Sequence, residues 1–127
     1  GMNSSGANMS SPSETDMYSF VCGALQANGQ YRYWEVHYSK NYNWTVWDMP
    51  AGYTPDGFSV TDLAKVVMKG ETAWETVKAN STALEMMQWE LFLPDNANLS
   101  KAPVYVFLDQ ITDLFAINTA TGRVFPY

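Results

Sequence analysis

The stretch YRYWEVHYSKNYNWTVWDMPAGY, residues 31–53, decides how this chain folds. It contains eight of the 19 aromatic residues in the sequence. Aromatic and β-branched residues are enriched in strands, and the Ser- and Asn-rich segment within the stretch is typical of a turn. The sequence therefore predicts strands at 30–38 and 44–48, followed by a loop rich in Pro and Gly at 49–58.

The residues before this stretch predict a hairpin. Residues 18–27, YSFVCGALQA, have strand composition, and Asn28-Gly29 separates them from the strand at 30–38. This dipeptide favours a two-residue turn, in which both residues adopt positive φ. The resulting register gives the pairs Val21–Val36 and Gly23–Trp34, and a returning third strand adds Val46–Val36 and Trp44–Tyr38.

The predicted sheet divides the aromatic residues between its two faces, because successive side chains of a strand point in opposite directions. One face is expected to pack against helices through Trp34, Tyr38 and Trp44. The other face is the candidate binding surface, and its five candidate residues are Tyr31, Tyr33, Glu35, His37 and Trp47.

The middle of the chain predicts three helices, at 60–69, 73–79 and 83–93. Each begins with a capping box, in which Ser or Thr is followed three residues later by Asp or Glu. The third segment, ALEMMQWELFL, is apolar nearly all round, which is typical of a helix buried on more than one side. It is expected to be either the central helix of the domain or part of a subunit interface.

The C-terminal part returns to strand patterns, at 103–109, 111–117 and in the final RVFPY. The order β-β-(β)-α-α-α-β-β-β predicts an α+β domain with an antiparallel sheet of five to six strands and helices packed on one face. In element order alone it is similar to the PAS or profilin-like arrangement. Residues 1–16 are rich in Ser, Asn and Gly and predict a disordered tail, so that 17–127 form a single α+β domain.

The charge of the chain excludes some classes of partner. The formal net charge is −6 and the isoelectric point is about 4.5. Nucleic acids and anionic membranes need concentrated Lys and Arg, so neither is an expected partner. The apolar runs are too short to cross a membrane and no signal segment is apparent, which predicts a cytoplasmic location.

The residues available for catalysis are few. Cys22 is the one cysteine and His37 the one histidine. In the predicted register they share a face as diagonal neighbours, although a buried thiol beside a partly exposed histidine is the simpler interpretation. Glu35 and His37 point the same way, but zinc needs three or four ligands, so no metal and no cofactor are predicted. The acids at Asp95, Asp109 and Asp113 have the positions of turn formers.

The aromatic row therefore leads to three functional hypotheses. The first is a non-catalytic, soluble, homodimeric binding domain, which uses the row to contact a protein partner or a small ligand. The second is a small acidic immunity or inhibitor-type protein that neutralises a basic partner. The third is an enzyme that relies on His37 or on a carboxylate pair. The row can also be covered by the 49–58 loop, by the N-terminal segment or by a second subunit.

Overall fold

The described part of the chain folds into two antiparallel sheets and one α-helix. The structure is a computed structural model that describes residues 1–83, 85–109 and 114–127. The three-stranded sheet contains β1 (Met17–Leu25), β2 (Tyr31–Ser39) and β3 (Asn43–Asp48), in that order. The five-stranded sheet contains β4 (Phe58–Ser59), β5 (Gln88–Pro94), β6 (Val104–Leu108), β7 (Leu114–Asn118) and β8 (Val124–Pro126), and the helix α1 spans Gly70–Ala79.

The prediction of a helix-rich α+β domain with one sheet is wrong. Within the residues that the structure describes, the second of the three predicted helices is the one that forms, as α1, and it begins three residues earlier than predicted. The segment 60–69 contains a single 3₁₀ turn, Leu63–Lys65, whose cap is Asp62: its carboxylate accepts the Ala64 N–H at 3.0 Å. With a single helix in the described residues between the strand groups, the likeness to the PAS or profilin-like order is lost as well.

The predicted third helix is replaced by β5. The side chains of Trp89 and Leu91 pack toward the helix side of the sheet, whereas Phe92 packs toward Val104 and Val106 on the opposite side. A strand covered on both faces is apolar throughout, and periodicity alone does not distinguish it from a buried helix. This segment is therefore internal to the five-stranded sheet and offers no helical subunit interface. Leu84, Asp113 and the start of the predicted 111–117 strand lie outside the described residues.

The first hairpin has a three-residue loop, not the predicted two-residue turn. The Gln26 N–H donates to the Gln30 carbonyl at 2.8 Å, and the Gly29 N–H donates to the Gln26 carbonyl at 3.0 Å. Gly29 has a φ of 80°, the left-handed conformation that ends a loop of this kind and that glycine adopts without strain.

The longer loop shifts the register of β1 against β2 by one residue. Val21 pairs with Glu35, and Gly23 pairs with Tyr33. A one-residue shift moves every side chain of a strand to the other face, so β1 presents to the candidate surface the face that was expected to be turned away. The second register, between β2 and β3, is confirmed: Val36 pairs with Val46, and Tyr38 with Trp44.

The main core lies between α1 and one face of the five-stranded sheet. Ala73, Trp74 and Val77 of the helix are buried against Phe107 and Ile117 of the sheet. The Trp74 ring centroid lies 5.1 Å from that of Phe107. A smaller buried cluster, formed around Val104, Val106 and Ala116, lies on the opposite face of the same sheet.

The N-terminal segment is packed against this core in the structure, although its composition predicts a tail. Met9 is completely buried, and its backbone exchanges two hydrogen bonds with Met86, at 2.7 and 2.8 Å. Pro12 is also buried and begins a 3₁₀ turn. Two buried apolar residues, Met9 and Pro12, therefore hold this otherwise polar segment against the core. The domain boundary at residue 17 stays a prediction.

Gly1 and Met2 join the two sheets. Met2 exchanges backbone hydrogen bonds with Met17 of β1, at 3.0 and 3.1 Å, and the Trp89 N–H of β5 donates to the Gly1 carbonyl at 3.0 Å. Beside this junction the Tyr18 ring meets the Trp89 ring nearly at right angles, 6.2 Å away. Trp89 lies on the helix side of the five-stranded sheet, so Tyr18 and the other even-numbered side chains of β1 and β2 point to that side. The odd-numbered side chains point to the opposite side.

Acid is expected to loosen the N-terminal segment through Asp16. The Ser4 backbone N–H, at 2.6 Å, and then its hydroxyl, at 2.8 Å, hold the pKa of this exposed carboxyl below its usual value. Because the folded pKa is lowered, the ionised Asp16 carboxylate stabilises the contact at pH values above the unfolded pKa near 3.8. This stabilisation is lost as the pH falls through the folded pKa. The Ser4 amide shift should therefore titrate with a midpoint below the usual Asp value in NMR spectra. Asp16→Asn should abolish this titration, and a parent shift that stays constant between about pH 5 and pH 2 would contradict it.

Candidate functional site

The three-stranded sheet of β1, β2 and β3, called the β-arm below, has side chains exposed on both faces. All six residues of β3 are exposed, and Trp44, Val46 and Trp47 retain 61%, 61% and 55% of their accessible area. The helix α1 packs on β6 and β7, not over the β-arm. Contiguous exposed apolar surface of this kind marks interaction sites in folded proteins.

One half of the odd-numbered face is a cluster of tyrosines. The Tyr31 and Tyr33 rings stack with centroids 6.0 Å apart, and Tyr53, from the loop after β3, meets Tyr33 edge-on at 5.6 Å. The cluster depends on Gly23, since a Cβ at that position would lie 3.0 Å from Cε1 of Tyr33. The ring therefore lies across β1 where the strand has no side chain. The predicted register paired Gly23 with Trp34, whereas in the structure Gly23 pairs with Tyr33, whose ring covers it.

The other half of this face contains Glu35, His37 and Trp47. The imidazole centroid lies 4.6 Å from the indole of Trp47. Nε2 of His37 lies 2.9 Å from Oε1 of Glu35 without the alignment of a hydrogen bond, while the Ser19 hydroxyl donates to the same carboxylate oxygen at 3.3 Å. The five predicted residues thus share one face as two adjacent clusters, and their role in binding stays a prediction.

The even-numbered face is also aromatic and is not covered by helices, contrary to the expectation that it would form the core. Tyr38 and Trp44 have ring centroids 4.8 Å apart, and Phe20 continues this row at 6.3 Å from Trp44. At the end of the face, the Arg32 guanidinium lies 5.1 Å over Trp34 and 2.9 Å from Asp48.

Sequence reasoning did not place Val21, Leu25 or Tyr53 on the odd-numbered face. Val21 and Leu25, 39% and 64% exposed, belong to it because of the three-residue loop. Tyr53 belongs to it because the loop after β3 folds back over Tyr33. The signal for the first two was present, since Gly29 can end a three-residue loop as well as a two-residue turn.

The geometry removes the candidate nucleophile pair. Cys22 pairs with Trp34 on the even-numbered face, and His37 pairs with Ser19 on the odd-numbered face. The thiol and the imidazole therefore point to opposite sides of the β-arm. Cys22 is exposed, not buried as predicted. Within the described residues there is no group of three or more His, Cys, Asp or Glu side chains that could hold a metal ion.

A shallow depression of about 290 Å³ lies on the side of the five-stranded sheet away from α1. Phe92, Val106 and Tyr127 contribute to its apolar lining, and Glu90 accepts a hydrogen bond from the Gln88 amide at 3.0 Å at its polar part. Its volume is at the lower end of the range for ligand pockets, and its lining contains no residue of the β-arm.

Comparisons of the chain with protein-family models, with curated proteins and with solved structures find no match. Among the described residues, no helix has both the length and the apolar character needed to cross a membrane. The β-arm is therefore interpreted from its own geometry and chemistry.

Proposed function

We propose that this chain is a non-catalytic interaction domain that binds a protein partner through the β-arm. The observation that supports this function is the exposure of large aromatic side chains on both faces of the arm, above all Trp44 and Trp47. Exposed aromatic area of this size adds little to the stability of an isolated chain, whereas Trp and Tyr are the residues that contribute most at protein interfaces.

The charges of the β-arm support an apolar contact. Arg32 is paired with Asp48 at 2.9 Å, so these two charges on β2 and β3 compensate each other, and Glu35 lies beside the ring of His37. A surface of this composition resembles the centre of an interface, where unpaired charges are depleted. It gives no particular support to the acidic immunity or inhibitor hypothesis, which requires an unpaired negative surface.

The shape of the β-arm favours a protein over a small molecule. Small-molecule sites are concave and enclose most of the ligand, whereas the side chains of β3 are exposed along its whole length. The enzyme hypothesis loses its nucleophile pair because Cys22 and His37 lie on opposite faces.

We also propose a cytoplasmic location, which suits an exposed thiol in a chain with one cysteine.

The proposal is tested by cross-linking in the cells that express the chain. A photoreactive amino acid at position 47 should give a discrete cross-linked species of higher mass, because this position lies within the proposed contact. The same group at position 99, which is 45% exposed on the loop between β5 and β6, is the matched control and should not give that species.

A second substitution makes the test specific. Tyr33→Ala on the same face should weaken cross-linking from position 47 by roughly 5–30-fold if the ring is one of the residues that contribute most to binding. Equal cross-linking from positions 47 and 99, or none from position 47, would contradict the proposed function.

A further inference from the structure

The outer edge of β3 presents unpaired backbone groups. The Met49 N–H donates to the Tyr33 carbonyl at 3.1 Å, in the register of β2 with β3. Hydrogen bonding in an antiparallel pair alternates along the strand, so the odd-numbered residues of β3 bond to β2. The N–H and C=O groups of Trp44, Val46 and Asp48 therefore point outward from the sheet.

This edge lacks the features that normally prevent pairing with another strand. β3 has six residues and contains no Pro, Gly or Lys, and its one charged residue, Asp48, is paired with Arg32. By contrast, β4 has two residues and β8 has three, one of which is Pro126. Long, uncharged, straight edges are the ones to which further strands add.

The edge of β3 is also the accessible edge of the β-arm. The other edge of the arm belongs to β1, and Gly1 and Met2 lie between that strand and β5. A strand that adds to β1 would meet the five-stranded sheet, whereas a strand that adds to β3 would approach from the side away from it.

We propose that the edge of β3 binds β3 of a second copy of this chain, as an antiparallel pair around a twofold axis at Thr45. This inference rests on the proposed function, since it names the partner of the β-arm. The axis places Thr45 opposite Thr45 of the second copy. It also generates two equivalent pairs in which Trp44 of one copy lies opposite Val46 of the other. Aromatic with β-branched pairs and Thr with Thr pairs are among the favourable cross-strand contacts, and the two Asp48 carboxylates stay apart.

The size of the contact predicts a weak dimer. If a Trp side chain presents about 250 Å², the exposed parts of Trp44 and Trp47 amount to roughly 300 Å² per copy. A stable interface buries about 800 Å² per partner, so this pairing belongs to the small, transient class. A dissociation constant of about 1–100 μM is expected.

The dimer would double the odd-numbered surface. A twofold axis perpendicular to the sheet keeps the odd-numbered faces of both copies on the same side. The two β2 strands are then three strand spacings apart, or about 14 Å, with both copies of Trp47 between them. The Glu35 and His37 clusters of two chains would form one continuous binding surface.

The test uses engineered cysteines in the full chain with Cys22→Ser. Thr45→Cys should form a disulfide-linked dimer under mild oxidation, because directly opposed residues in a non-hydrogen-bonded pair have Cα atoms about 4.5 Å apart. Val46→Cys is the matched control: in this register its two copies are offset by two residues, at a Cα distance of roughly 8 Å, beyond the reach of a disulfide. At least a tenfold excess of dimer from Thr45→Cys is expected.

A second variant tests the edge without cysteines. Val46→Pro removes an outward N–H and leaves the bonds between β2 and β3 in place, and edge strands tolerate proline in this orientation. It should remain folded and should abolish the concentration-dependent dimer that sedimentation of the parent detects at about 100–500 μM.

The proposal is overturned if the parent remains monomeric at these concentrations, or if Thr45→Cys forms no more dimer than Val46→Cys. A parent chain that remains monomeric while position 47 cross-links to a different protein would reject self-pairing and keep the proposed function. Loss of both the dimer and every cross-link from position 47 in the parent chain would reject the two together.

Discussion

Trp74→Ala is expected to lower the free energy of unfolding by about 3–5 kcal/mol, the range for removal of a fully buried Trp. The indole is 1% exposed and lies between α1 and the five-stranded sheet, beside Phe107. Its Nε1–H donates to the Ser10 carbonyl at 2.7 Å. The substitution therefore leaves a cavity, weakens the contact of the helix with the sheet and removes the partner of a partly buried carbonyl.

Trp44→Ala is the matched control for this prediction. It removes the same side chain from an exposed position, where the lost ring contact with Tyr38 should cost about 0.5–1.5 kcal/mol. Urea denaturation followed by circular dichroism measures both variants. Equal losses for the two variants would contradict the assignment of Trp74 to the core and of Trp44 to an uncovered surface.

Met9→Ala should lower the free energy of unfolding by about 2–5 kcal/mol, as expected for a buried Met in a packed core. Met9 is completely buried and belongs to the same cluster as Trp74 and Phe107, and its backbone pairs with Met86. The size of this effect distinguishes a packed N-terminal segment from a mobile tail.

The neighbouring Asn8→Ala provides the control, because Asn8 is exposed and its substitution should change stability by less than about 0.5 kcal/mol. A Met9→Ala variant as stable as Asn8→Ala would show that residues 1–16 do not contribute to the core in solution. The composition of the segment would then describe it better than its packing does.

Local patterns in the sequence located most of the strands. The alternation within residues 31–38 and the Val46–Val36 pairing needed no information beyond the β2–β3 stretch, and both agree with the structure. The odd-numbered row of β2 was found for the same reason: its members belong to one strand, so their common face follows from the period of two.

The features that failed depend on distances in space. The parity of β1 relative to β2 depends on one residue in the loop ending at Gly29, and a single wrong choice moved Val21 and Leu25 to the wrong face. The apolar run at 83–93 predicts a helix, but a run without a clear period is equally typical of a buried strand. Its strand character depends on pairing with β6, and the burial of Met9 depends on Met86, which is 77 positions away in the sequence.

The five indole N–H groups of the chain give the most direct test of an uncovered β-arm, because one NMR spectrum reports all of them. At a concentration where the protein is monomeric, a soluble paramagnetic agent should broaden the signals of Trp44 and Trp47 strongly. It should leave those of Trp74 and Trp89 nearly unchanged, because these two indoles donate to Ser10 and Thr15. Protection of Trp44 and Trp47 equal to that of Trp74 would contradict the account, because the arm would then be covered by the rest of the chain.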